Sequence, residues 1–171
     1  MDIKLANLLL GKHYNLKIAD FGLSASSEKA YSYGRGTQNY RAPELISSKC
    51  EDPKANDIYA AGIVLFCLAT AHMPYLEKKT VKGYDLHSML MNGDLKDYWK
   101  AFTECCNQKV AISAGLKQLF EGMVHAEPSK RLSIEEIKSH SWFKKEVYTR
   151  EQLKHVMRDK VKPLNETSPQ K

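Results

Sequence analysis

The 171 residues hold only four cysteines, six prolines and nine glycines, and no apolar run long enough to cross a bilayer. Each shortage removes a class of protein. Cys50, Cys67, Cys105 and Cys106 follow no CxxC or Cys/His spacing suited to zinc, and no signal-like apolar segment opens the chain. A zinc module and a secreted disulfide framework are therefore poor fits. The thiols read as reduced, in the cytoplasm or the nucleus. The longest apolar run, Ile58 to Ala71, falls short of the ~20 residues of a membrane-spanning helix and marks a buried core helix, so no membrane partner is expected. Positive charge is also thin where a nucleic-acid face would need it. The formal charge is +6, but residues 144–171 carry eight Lys or Arg against four Asp or Glu, leaving the rest nearly balanced. The basic end reads as a solvated tail, and no nucleic-acid partner is expected.

What is present is one substantial core, with 43% hydrophobic residues in a chain of single-domain length, and an unusual concentration of chemistry in the first 22 residues. Asp2, Lys4 and Asn7 are followed by Asp20-Phe21-Gly22. Between them the runs Leu8 to Leu10 and Leu16 to Ala19 flank a polar turn at Gly11 to Asn15, which predicts a hairpin that sets Asn7 beside Asp20. One carboxylate to orient an attacking hydroxyl, one cation to neutralise charge, and hard oxygens for magnesium are what phosphoryl transfer requires.

The sequence DIKLAN followed by DFG resembles the catalytic loop and metal-binding loop of eukaryotic protein kinases, whose pattern is HRDxxxxN and then DFG. The resemblance implies that Asp2 is the catalytic base, that Lys4 contacts the γ-phosphate of ATP, and that Asn7 and Asp20 bind Mg2+. Leu9 would floor the adenine pocket and Phe21 would pack below the cleft beside Gly22. Lys4 at the third place of DIKLAN is the serine/threonine form. The departure lies at the start, where Met1 alone stands before Asp2, and the Gly-rich loop, the β3 Lys and the αC Glu have no match in these residues. The expected fold is therefore mainly α: a kinase-like C-terminal lobe with a small catalytic-loop hairpin, the N-terminal β-rich lobe absent and the isolated chain inactive.

Further matches run in the family's order. Residues 23–41 read as a loop rich in Ser, Tyr and Gly that resembles an activation segment, closed by Ala42-Pro43-Glu44. Tyr31, Ser32 and Tyr33 occupy the stretch where such segments are phosphorylated, and Thr37 matches the threonine that meets the catalytic Asp and Lys. In NDIYAAGIVLFCLATA, Asn56 or Asp57 can cap a helix that is apolar all round. By resemblance this is the central helix, with Asp57 bonded to the catalytic-loop backbone and Tyr59 where the family has Trp. Leu86, Met89 and Leu90, then Leu95, Tyr98, Trp99 and Phe102, predict helices in which the Trp99/Phe102 pair is core. Helices are also expected over Ala114 to His125 and Ile134 to His140, the second opened by a Ser133/Glu136 capping box. Arg131 resembles the family's partner of the APE glutamate, here Glu44. The resemblance covers residues 1–143; residues 144–171 predict a short amphipathic helix and then a disordered end.

Two functions remain open at this point. One is a serine/threonine protein kinase that binds ATP and phosphorylates hydroxyls of a protein substrate. The other is a non-catalytic, kinase-like interaction module.

Overall fold

A computed structural model describes residues 1–24, 36–47, 52–76, 79–106 and 110–160. The two apolar runs of the N-terminal stretch pair as an antiparallel hairpin, β1 (Leu8–Leu10) with β2 (Leu16–Ile18), in the register Leu8↔Ile18, Leu9↔Lys17, Leu10↔Leu16. Gly11 and Asn15 close the turn through a 2.9 Å bond. Partners across the ladder share a face, so Leu8, Leu10, Leu16 and Ile18 lie on one side and Leu9 with Lys17 on the other. Among the described residues the elements that follow the hairpin are, apart from an isolated bridge between Val81 and Tyr84, helices: α1 (Pro43–Ser47), α2 (Pro53–Thr70), α3 (Leu86–Asn92), α4 (Leu95–Cys105), α5 (Ala114–Met123), α6 (Ile134–Ser139) and α7 (Arg150–Lys160).

The α2 helix is the axis of the body. Its apolar residues face every direction, and Tyr59, Ile63 and Phe66 are all fully buried. Phe66 meets Phe120 of α5 at 4.6 Å and Phe102 of α4 edge-on at 5.0 Å between ring centroids, separations at which aromatic pairs gain energy beyond their buried area. Gly62 lets α2 approach α5 closely, since a Cβ there would stand 2.8 Å from Val124 Cγ1. A second cluster joins Leu119, Met123 and Ile137 with Leu132 and Trp142. Among the described residues, no helix is long and apolar enough to cross a membrane.

Sequence expectations about helix boundaries need correction here. The cap of α2 is Asp52, which accepts from the main-chain N–H groups of Lys54 and Ala55, with Pro53 at the first helical position. Asn56 and Asp57 therefore lie inside the first turns, because an Asp-Pro pair starts the helix before the apolar run begins. Phe21, which the family likeness places below the cleft, is 61% exposed in this chain, as an apolar side chain on an uncovered cleft side would be. Asp20 takes a left-handed backbone (φ 60°) that turns the chain after β2, and the ring emerges unburied among the described residues. The Ser133/Glu136 capping box is present in full, and Trp99 and Phe102 are core. The helices expected to reach His125 and His140 end at Met123 and Ser139.

Candidate active site

The short 3-10 turn Leu5–Asn7 and the loop before it hold Asp2 against the segment that precedes α1. Thr37 grips both carboxylate oxygens, donating its main-chain N–H to Oδ1 and its hydroxyl to Oδ2, each at 2.9 Å. Lys4 Nζ lies 2.6 Å from Asp2 Oδ2 and donates to Thr37 Oγ1 at 2.8 Å. The three groups thus form a closed triangle assembled from residues 35 positions apart. Burial, the largest single influence on Asp2, works to raise its pKa. The hydrogen bonds from Lys4 and Thr37 and the lysine charge together outweigh it, and the carboxyl is held below its ordinary range. Lys4 is pushed the other way, first by its bond to Asp2 and further by the charges of Asp2 and Asp20, against a smaller desolvation cost. The result is an ionised acid and a protonated base in contact.

Asn7 is buried and fixed from three directions. Its Nδ2 donates to the Asp2 carbonyl at 2.9 Å, its N–H to the Lys4 carbonyl at 3.0 Å, and its own carbonyl accepts from Ala19 at 2.8 Å. That last bond places Asn7 beside the residue preceding Asp20, as the hairpin pattern predicted. With Nδ2 committed, Oδ1 is the Asn7 side-chain atom left for a cation. Asp20 is exposed and uses Oδ1 to accept from the Gly22 N–H at 3.1 Å. No cluster of three or more His, Cys, Asp or Glu suited to a metal occurs among the described residues. One carboxylate and one amide oxygen nevertheless fit magnesium, which favours few protein ligands completed by water and phosphate oxygens. Leu9 is 54% exposed, on the hairpin face it shares with Lys17.

The segment that carries Thr37 is anchored from below. Glu44, in the first turn of α1, meets Arg131 in a two-pronged pair, Nη1 to Oε1 and Nη2 to Oε2, both 2.7 Å. The same guanidinium donates to the carbonyls of Ala55, His125 and Ala126, and its carbon stands 5.0 Å from the centre of the Tyr59 ring. Asp57 accepts from the N-terminal ammonium of Met1 at 3.0 Å, tying α2 to the loop that carries Asp2. Tyr40 received no role from the sequence, yet it sits among these groups. Burial raises its pKa first, and contact with the Leu5 backbone and Lys4 tempers the rise. Its signal was position, since the Tyr40 N–H closes a turn onto the Thr37 carbonyl. Tyr31, Ser32 and Tyr33 lie outside the described residues.

A helical body built round one buried helix, a hairpin on its rim and a clamped segment over Asp2 define a protein-kinase-like lobe. Comparison with known proteins agrees: residues 1–143 match the protein kinase domain, and the chain belongs to that family. It is similar to CBL-interacting protein kinase 11 of Oryza sativa subsp. japonica, with 33% identity over 151 residues that cover 85% of this chain and 27% of that protein. CBL-interacting serine/threonine-protein kinase 15 of Arabidopsis thaliana is 34% identical over 149 residues, covering 84% of this chain and 32% of that protein. The chain therefore spans a third or less of the length of these curated relatives.

Proposed function

We propose that this chain supplies the catalytic loop and substrate side of a serine/threonine protein kinase that moves the γ-phosphoryl group of ATP to hydroxyls of a protein substrate. The observation that carries the reading is the Asp2–Thr37–Lys4 triangle, because it joins an ionised carboxylate, a fixed ammonium and the activation-segment threonine at one point. In the reaction the substrate oxygen forms a bond to the γ-phosphorus while the bond to the bridging oxygen of ADP breaks. The hydroxyl proton passes to Asp2. With its pKa held low, Asp2 is a weak base, suited to orienting the hydroxyl and taking the proton late in the transfer. Lys4 neutralises charge on the phosphoryl oxygens. Asn7 and Asp20 would hold Mg2+, which screens the phosphates when bound.

The presence of Asp2, Lys4, Asn7, Asp20 and Thr37 together argues for catalysis over a purely binding role. Cys67, Cys105 and Cys106 are free thiols, which supports a cytoplasmic or nuclear setting. The test is Mg2+-dependent transfer of labelled γ-phosphate by the natural full-length protein. Asp20→Asn is expected to raise the magnesium concentration needed for half-maximal rate. An unchanged magnesium requirement would remove Asp20 from the metal site.

A further inference from the structure

Behind the Asp2 triangle lies a narrow crevice of about 20 Å³, walled by Ile3 of the catalytic loop, Gly36, Tyr40 and Arg41 of the clamped segment, and Asn56 and Ala60 of α2. Asn56 is 5% exposed, and its Oδ1 is buried with no hydrogen-bond partner among the described residues. Both facts need a cause. A buried amide oxygen left unsatisfied costs roughly 1–3 kcal/mol, and native interiors bond nearly all such atoms to protein or to ordered water. The neighbouring acid is no substitute partner, since it has no proton to give. Both oxygens of Asp2 already accept from Thr37 and Lys4, and the Thr37 hydroxyl is spent between them.

We propose that the crevice is a binding site for a single water molecule that donates a proton to Asn56 Oδ1 and joins α2 to the segment carrying Thr37. Size selects the occupant: a site of about 10–15 Å³ on this measure holds one water, and 20 Å³ leaves no room for a larger molecule. Tyr40 and Arg41 line the crevice from the segment side and Asn56 and Ala60 from α2, so a water here bridges the two elements. Asn56 thereby acquires a role that a helix-capping reading of the sequence does not provide. The inference rests on the crevice and on one buried atom, and it stands apart from the catalytic reading.

The test is a crystal structure of this chain at a resolution that shows ordered water, paired with water-to-amide NMR cross-relaxation in solution. The expected result is a water within hydrogen-bond distance of Asn56 Oδ1, and long-lived cross-peaks from water to the amide protons around Asn56 that vanish in Asn56→Leu. Three results would overturn the proposal: an empty crevice, an Asn56 amide turned so that Nδ2 bonds protein in place of Oδ1, or a residue of the segment 25–35 donating directly to that oxygen. The crystal result decides the matter even where Asn56→Leu fails to fold.

Discussion

Arg131 and Glu44 stand 87 positions apart in sequence and meet through two parallel 2.7 Å bonds, with the arginine side chain 1% and the glutamate side chain 11% exposed. Two-pronged pairs of this kind are both stronger and more directional than single ones. Removing one partner strands a shielded charge, so Glu44→Gln and Arg131→Ala should each cost ~3–5 kcal/mol. The double variant should cost clearly less than the sum of the singles, because the two residues share one interaction. Urea unfolding of the four proteins measures this. Strictly additive losses would mean that the pair contributes nothing as a pair.

Tyr59 and Tyr75 form a second coupled pair, their hydroxyls 2.6 Å apart in the core. The sequence reading treated Tyr59 as an aromatic body in a tryptophan position. The structure adds a hydroxyl bond to Tyr75 and a cation–π contact to Arg131. Tyr59→Phe keeps the ring under Arg131 and should cost what the buried hydroxyl contact is worth, roughly 1–3 kcal/mol, whereas Tyr59→Leu should also lose the cation–π contribution. Equal destabilisation by the two, after allowing for side-chain volume, would show that the arginine gains nothing from the ring.

Acid should weaken the Asp2–Thr37–Lys4 triangle in a defined window. The Asp2 carboxyl titrates lower when folded than when unfolded, so its stabilising contribution is complete above the ordinary value of about 3.9 and disappears as pH falls through the lowered folded value. Lys4 titrates higher when folded, so its share is complete below about 10.4 and is lost as pH rises through the raised value. Wild type should therefore exceed Asp2→Asn in urea midpoint by a constant margin near neutrality, with the margin closing in acid. Thr37→Val, which deletes one of the bonds to the carboxylate, should move the closing point to higher pH. A margin that persists unchanged into strong acid would show that Asp2 is not stabilised by these bonds.

The hairpin should bind apolar surface. Leu10, Leu16, Ile18 and Phe21 are each between 46% and 61% exposed, and the three strand residues share one face. Contiguous exposed apolar side chains of this kind mark an interaction surface or an association liability. Dye that fluoresces on apolar surface should bind this chain, and Leu10→Ser with Leu16→Ser should reduce the signal while leaving the unfolding midpoint nearly unchanged. Full dye binding in that double variant would place the sticky surface elsewhere.

Much of this was legible in the residues. The runs at Leu8 and Leu16 around a polar turn foretold the hairpin, since strand pattern and turn chemistry are local signals. The Ser133/Glu136 box and the Trp99/Phe102 spacing were legible for the same reason. The Asp52 cap was also visible in principle, as Asp before Pro53, but counting the apolar run from Ile58 hid it. Thr37 with Asp2 and Glu44 with Arg131 were reached only through family likeness, because no local pattern joins residues so far apart. The Tyr59–Tyr75 bond and the Asn56 oxygen without a partner among the described residues were not legible at all. Both depend on how α2 packs against residues from other parts of the chain, and packing of that kind leaves no periodic trace in sequence.

The most direct test of the account is the rate of γ-phosphoryl transfer to a protein hydroxyl by the natural full-length protein, compared with Asp2→Ala under saturating ATP and magnesium. Loss of a positioned base should lower kcat by roughly 10²–10⁴-fold. An Asp2→Ala protein that transfers phosphate at the wild-type rate would contradict the assignment of this triangle as the catalytic centre.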